Sequence, residues 1–301
     1  MVDEEEPRLF VNRWGDTSDP APGGRGSYRD VCACFDQAKP HPRERVGFHA
    51  ERQDISAAGW QRLLELIEEA ADDGREEFAP LVELSAGERR QVITLPPSIA
   101  KLTAVKRLVL YGSNLVRIPP EIGAMSSLEE FTPYTSYRLH WFPYEITRCS
   151  QLTRSTVSTR ALFGNYKLRP AFPRLQPSQD FVADLDLTEL DARRWGTTVI
   201  RGCSVCDRPI EQGGLHQVWI SARVATDVLP LLINACSAAC VSALPPGAED
   251  YVQLPHKGGG SASRRPTGTD LAQVRAHLAA HGSNVIPEGA DVVKRVVGAG
   301  C

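Results

Sequence analysis

The sequence of 301 residues contains no apolar run that approaches the ~18 residues of a membrane-spanning helix. Its opening segment, MVDEEEPRLF, is acidic where a secretory signal would be basic and then apolar. The sequence therefore predicts neither a membrane partner nor secretion. We expect a cytoplasmic protein.

An excess of charge of one sign is also missing. The formal net charge is -3 and the isoelectric point is about 6.2, so the chain as a whole does not attract nucleic acid or anionic lipid. The sequence has no P-loop, G-x-S-x-G, H-E-x-x-H or kinase signature. We therefore expect no nucleic acid partner and predict no catalytic residues.

What the sequence does contain is a repeat. Pro96, Pro119 and Pro143 recur at 23 and then 24 residues. Three apolar columns keep the same spacing, namely Ile99, Ile122 and Ile146, then Leu102, Met125 and Cys149, then Val105, Leu128 and Leu152. A fixed period of this length indicates units that are too small to bury an apolar face alone and that stack on their neighbours.

The best unit contains Val105, Leu108, Leu110, Asn114 and Leu115, which fit L-x-x-L-x-L-x-x-N-x-L with one extra residue before the asparagine. Later units fit less well, and an earlier one is suggested by leucines 24 residues upstream, at Leu81 and Leu84. This pattern resembles the leucine-rich repeats of bacterial proteins. The resemblance implies an α/β fold in which residues 79–177 form a short solenoid of about four units.

The same resemblance implies one short parallel strand per unit, with leucines inward and the intervening side chains on an open concave face. Because side chains alternate along a strand, each unit contributes residues to this face. The predicted binding residues are Arg107, Val109, Tyr111, Glu130, Thr132, Tyr134, Arg154, Thr156 and Ser158. Tyrosine and arginine are enriched at protein interfaces, so we expect a protein partner. The alternative is a merely solvated sheet face.

Four of the eight cysteines form two close pairs. Cys203 and Cys206 form C-x-x-C, and Cys236 and Cys240 form C-x-x-x-C. Two such pairs match a closed tetrahedral Zn²⁺ site, which leaves no open position for a catalytic water, so a structural zinc is predicted. The alternatives are four buried thiols, or a redox role for the first pair.

The sequence around these cysteines resembles a treble-clef zinc finger of the FCS type over residues 200–245. GCSVCDRPI resembles a zinc knuckle, GGLHQVWI and SARVAT resemble short strands, and NACSAACVSAL resembles the start of a helix. The phenylalanine that usually precedes the second pair is Ala235 here. The resemblance implies a small α+β zinc-binding domain over residues 178–255.

The remaining segments are predicted from composition and periodicity. Residues 1–55 form an N-terminal segment that is partly irregular, and residues 56–78 form a capping helix that begins at Ser56 and ends at Gly74. Residues 256–301 form a linker and a C-terminal helix and tail. Cys32 and Cys34 lack metal-ligand spacing relative to the nearby histidines, so we predict incidental thiols there.

These observations predict a protein interaction module with a structural zinc. The alternative is a cysteine-dependent bacterial effector or ubiquitin-ligase-like enzyme, because some of those join leucine-rich repeats to a catalytic cysteine domain. Of the cysteines after the repeats, Cys301 is the thiol left over for that role.

Overall fold

The computed structural model describes residues 48–49, 51–159, 161–164, 171–175, 202–210, 214–249 and 251–259. The α-helices in this part of the chain are α1 (Ala58–Asp73), α2 (Pro80–Glu83), α3 (Ala86–Gln91) and the helix Ala238–Ser242. Three 3₁₀ helices span Pro97–Lys101, Pro120–Ala124 and Tyr144–Arg148. The strands are β1 (Glu77–Phe78), β2 (Arg107–Val109), β3 (Glu130–Thr132), β4 (Phe142–Pro143), β5 (Arg154–Ser155), β6 (His216–Val224) and β7 (Asp227–Ala235). The chain is thus a mixed α/β protein with few helices.

Helix α1 forms because apolar residues recur at helical spacing, and it buries Trp60, Leu63 and Ile67. It ends at Gly74, whose φ of 63° is the left-handed conformation that glycine adopts easily. The predicted N-cap at Ser56 is wrong. The Ser56 amide and hydroxyl both donate to the Asp54 carboxylate, and the helix begins at Ala58 without a side-chain cap.

Strands β1, β2, β3 and β5 form a parallel sheet in that order. The register aligns Arg107 with Glu130 and Glu130 with Arg154, so residues one repeat apart lie side by side. Leu108 and Phe131, the next residues in β2 and β3, are fully buried under the sheet. The sequence period therefore predicts this register correctly.

The first strand does not follow that period. We expected Leu84 to align with Leu108, but β1 places Phe78 opposite Leu108. Leu81 lies in α2, which begins at Pro80, and Leu84 ends that helix. The two short helices α2 and α3 lengthen the connection from β1 to the first 3₁₀ helix, and this moves the strand upstream.

Each 3₁₀ helix follows directly on one of the three periodic prolines. The isoleucines Ile99, Ile122 and Ile146 are fully buried, and successive 3₁₀ helices contact one another. The second and third approach most closely at Gly123, where a Cβ would lie 2.6 Å from the Glu145 carbonyl oxygen. A side chain at Gly123 would separate these two turns.

Strands β6 and β7 form a long antiparallel hairpin, and β4 pairs in parallel with β7, aligning Phe142 with Leu231. The hairpin also meets the end of the parallel sheet. The Ser155 hydroxyl donates to the Asp227 carboxylate (2.7 Å), and the Thr226 hydroxyl donates to the Ser155 carbonyl (2.7 Å). One continuous apolar core runs from α1 to the hairpin. The hairpin therefore packs on the repeat region.

Residues 51–54 have no regular secondary structure and contact the repeat region. The Gln53 side chain donates to the Gln91 carbonyl (2.8 Å) and accepts from the Ile93 amide (2.9 Å). In the next unit, Arg117 donates to the Glu51 carbonyl (2.8 Å). These hydrogen bonds join residues 51–54 to two consecutive units.

Glu51 and His49 also contact the unit that contains Arg138 and His140. Glu51 forms an ion pair with Arg138. The imidazole of His49 stacks on that of His140, with ring centroids 5.2 Å apart and an interplanar angle of 13°. His49 and His140 are both buried, so the part of residues 1–55 that the structure describes is ordered by these contacts.

The second and third 3₁₀ helices each carry a carboxylate, the partly buried Glu121 and the buried Glu145. Burial raises the pKa of Glu121 to about 7, with a further rise from the Glu145 carboxylate. Burial also raises the pKa of Glu145. The folded protein therefore keeps the Glu121 proton at pH values at which the unfolded chain has released it. Its stability falls as the pH rises from the ordinary pKa of 4.5 to the folded-state pKa of about 7.

We therefore expect Glu121→Gln to stabilise the protein at pH 8 by about 1 to 2 kcal/mol, because the amide mimics the protonated acid and Glu121 is only partly buried. At pH 5 the gain should shrink. Urea denaturation at both pH values measures the difference. Glu129→Gln, at an exposed position in the same unit, is the matched control and should show no pH-dependent gain. An equal effect of Glu121→Gln at both pH values would contradict this account.

Several predicted features lie outside the described residues. These are residues 1–47 with Cys32 and Cys34, the connection 176–201, the linker and helix after residue 259, and Cys301. None of the helices in the described part of the chain has the length and apolar composition of a membrane-spanning segment.

Candidate metal centre and sheet face

The structure brings Cys203, Cys206, Cys236 and Cys240 together, with their sulfurs all within 4.8 Å of one another. The first two lie on a turn before the β6–β7 hairpin, and Cys236 follows directly on β7. Cys240 lies in the helix Ala238–Ser242. The hairpin thus joins two ligand pairs that are distant in sequence.

Local hydrogen bonds shape both pairs. The Asp207 amide donates to the Cys203 carbonyl (3.0 Å), and Asp207 has a φ of 61°, so the chain turns tightly around the first pair. On the other side, the Ser237 hydroxyl accepts from the Cys240 amide (3.2 Å) and caps the short helix. Cys236 and Cys240 then lie one helical turn apart, and their sulfurs are 3.6 Å apart.

Several donors point at the sulfurs. The Cys203 sulfur accepts from the amides of Val205 (3.4 Å) and Cys236 (3.3 Å). The exposed Arg208 side chain donates to the Cys206 sulfur (3.4 Å). Hydrogen bonds to thiolates of this kind orient metal ligands and offset their negative charge.

The thiols do not titrate alike. The hydrogen bond from Arg208 lowers the pKa of Cys206 to about 6, whereas the hydrogen bond between Cys206 and Cys236 raises the pKa of Cys236. A metal ion that binds four thiolates must displace the remaining protons, so metal uptake is expected to release protons.

The repeat region holds this centre in place through Arg148, which the sequence analysis missed. Arg148, in the third 3₁₀ helix, donates to the Ser204 carbonyl (3.0 Å) and forms an ion pair with Asp207 (2.6 Å). Both contacts fall on the turn that carries Cys203 and Cys206. The partners of Arg148 on this turn are distant in sequence, so no periodic pattern indicates the contact.

Four convergent sulfurs form a donor set that suits a soft or borderline metal ion. All four positions of a tetrahedral ion would be taken by protein, which leaves none for water. The cluster can therefore hold a metal ion in a structural role. No protein family model matches this chain, and no curated protein matches it either.

The sheet face holds most of the residues predicted for it. Arg107 forms ion pairs with Glu77 (2.7 Å) and Glu130 (3.5 Å), and Arg154 pairs with Glu130 (3.0 Å). Negative and positive side chains therefore alternate across neighbouring strands of this face. Glu77, which the sequence analysis did not include, adds a carboxylate from β1 to this row. Val109, Thr132 and Thr156 follow on the same face, partly or fully exposed.

Ser158 is a correction. It is buried rather than part of the open face, because its hydroxyl accepts the amide of Thr135 (2.6 Å). Thr135 has a φ of 60°, which is rare for a β-branched residue and corresponds to Gly112 in the preceding unit. Tyr134, just before it, is 42% exposed, and its ring lies 5.6 Å from that of Tyr111. The two tyrosines therefore form one aromatic patch at the end of the face.

Proposed function

We propose that the protein is a protein interaction module that binds a partner on its parallel-sheet face and carries a structural zinc ion. The observation that carries this proposal is the composition of the face. Alternating charges on Glu77, Arg107, Glu130 and Arg154 lead to the aromatic patch of Tyr111 and Tyr134. Ordered arginine and tyrosine side chains lose little entropy when a partner binds.

The repeat region is proposed to be a short leucine-rich repeat solenoid. Three observations support this assignment: the period of 23 and 24 residues, the parallel register of β2, β3 and β5, and a 3₁₀ helix at the same position of each unit. Residues 51–54 then lie against two of its units, and the β6–β7 hairpin lies against its last strand. In this arrangement the sheet face is the open binding surface.

The four-cysteine centre is proposed to hold zinc in a treble-clef-like domain. The order of knuckle turn, hairpin and short helix supports it, and so does the all-sulfur donor set. A zinc site of four thiolates persists in a reducing compartment, which fits the proposed cytoplasmic location.

The binding proposal predicts a loss of partner capture when the aromatic patch is removed. Tyr111→Ala combined with Tyr134→Ala should reduce capture of a partner from cell extract by about tenfold or more, since each buried interfacial tyrosine contributes about 1 to 2 kcal/mol. The measurement is an affinity pull-down that is quantified by mass spectrometry, with circular dichroism to check that the variant is folded.

The matched control is Glu65→Ala combined with Glu69→Ala, which removes two exposed side chains from α1 and leaves the sheet face intact. This control should retain the partner. Equal capture by the tyrosine variant and the wild type would place the binding surface elsewhere, and a folded wild type that captures no partner would refute the proposal.

A further inference from the structure

The four cysteines divide into two buried and two accessible thiols. Cys203 and Cys240 are 1% and 6% exposed, whereas Cys206 and Cys236 are partly exposed. The accessible pair contains one cysteine from each ligand pair, and their sulfurs lie 3.6 Å apart. A small solute can therefore reach two neighbouring sulfurs from solvent.

Hydrogen bonds also distinguish the buried Cys203 from the accessible Cys206. The buried Cys203 sulfur is held by two backbone amides, which are fixed donors that reduce its nucleophilicity. The donor to Cys206 is the exposed side chain of Arg208. All four sulfurs are thiolates when a metal ion is bound, so exposure decides which of them an oxidant reaches. Cys206 is the expected point of attack and Cys236 the resolving thiol.

We propose that Cys206 and Cys236 form a redox modification site, at which a peroxide converts two metal-bound thiolates into a disulfide and so releases the metal ion. The inference rests on the proposed occupancy of the four-cysteine centre. It goes beyond a structural role because it makes the folded state of this centre dependent on an oxidant.

The reaction balances in two steps. The Cys206 thiolate attacks one peroxide oxygen, the O–O bond breaks, and hydroxide leaves and takes up a proton, which gives a sulfenic acid. The Cys236 thiolate then attacks the Cys206 sulfur, the S–O bond breaks, and a second hydroxide leaves and becomes water. The two sulfurs together lose two electrons, and one hydrogen peroxide becomes two water molecules.

The geometry allows this product with little rearrangement. A disulfide bond is about 2.05 Å long, so the two sulfurs must approach by roughly 1.5 Å. The new bond removes two of the four ligands, one from each pair. The remaining Cys203 and Cys240 cannot complete a tetrahedral site, so the ion leaves.

The test uses the full chain with Cys32, Cys34 and Cys301 replaced by serine. The thiols that remain are those of the metal centre and Cys149. Its zinc content is measured first, and hydrogen peroxide is then titrated in while a chromogenic chelator reports released zinc. Peptide mass spectrometry under non-reducing conditions identifies the disulfide. We expect one zinc released per Cys206–Cys236 disulfide, reversed by a thiol reductant with added zinc. The buried Cys149 serves as an internal control and should stay unmodified.

The outcomes separate this inference from the proposed function. Protein that contains no metal before oxidation refutes the zinc centre itself. Protein that contains zinc and retains it after peroxide treatment refutes the redox site alone. A first disulfide within a ligand pair, Cys203–Cys206 or Cys236–Cys240, also overturns it, because exposure would then not select the reactive sulfurs.

Discussion

Cys203→Ser is expected to abolish metal binding and to unfold the β6–β7 hairpin. Structural zinc sites contribute on the order of 10 kcal/mol of binding free energy, which is as large as the total stability of a typical domain. Because β7 pairs with β4 and the core is continuous, the damage should extend to the third repeat unit. Hydrogen exchange measured by mass spectrometry should show loss of protection in β4, β6 and β7, with α1 and β2 still protected.

The matched control for this variant is Cys149→Ser. Cys149 is also buried, but it lies outside the metal centre and donates to the Ile122 carbonyl, a contact that a serine hydroxyl can make. This control should keep its metal and its hydrogen exchange protection. If Cys203→Ser retained full protection in the hairpin, the centre would not stabilise the fold.

Trp219→Ala should lower the free energy of unfolding by about 3 to 5 kcal/mol, the usual cost of deleting a fully buried tryptophan. The side chain is fully buried, and its indole N–H donates to the Pro173 carbonyl (3.0 Å). Its ring contacts those of Phe48, Trp141, Phe163 and Phe172. Trp219 thus joins the hairpin to four other described segments of the chain. Guanidinium denaturation measures the loss.

Trp141→Ala provides the comparison within the same cluster. Trp141 is only partly buried, so its removal leaves a smaller cavity and should cost less than half as much. Equal losses for the two variants would show that Trp219 is not the centre of this aromatic cluster.

The features that the sequence predicts correctly are those carried by local spacing. Cys203 with Cys206 and Cys236 with Cys240 have intervals that bring two sulfurs together within one turn, so the donor set could be chosen before the fold was known. The alignment of Arg107, Glu130 and Arg154 follows directly from the repeat period. In both cases the physical constraint acts over a few residues or over a fixed interval.

The features that the sequence does not reveal depend on contacts between distant segments. The sequence predicts two short strands at GGLHQVWI and SARVAT, but the structure has one strand there, β6, and its partner β7 follows at Asp227–Ala235. Strand β7 contains Pro230, a residue that is unusual inside a strand. The position of β1 depends on two inserted helices. Ser158 points inward because Thr135, from another unit, offers it an amide. The ion pair between Arg148 and Asp207 joins the repeat region to a segment outside it, so the repeat period does not predict this contact.

The most direct test of the central claim is X-ray absorption at the zinc edge, together with metal analysis, on the full chain purified without added metal. We expect about one zinc per chain, bound by four sulfurs at about 2.3 Å, since the four thiolates fill a tetrahedral shell. A chain without zinc, or a zinc ion with nitrogen or oxygen ligands, would contradict the assignment of Cys203, Cys206, Cys236 and Cys240 as a closed structural centre.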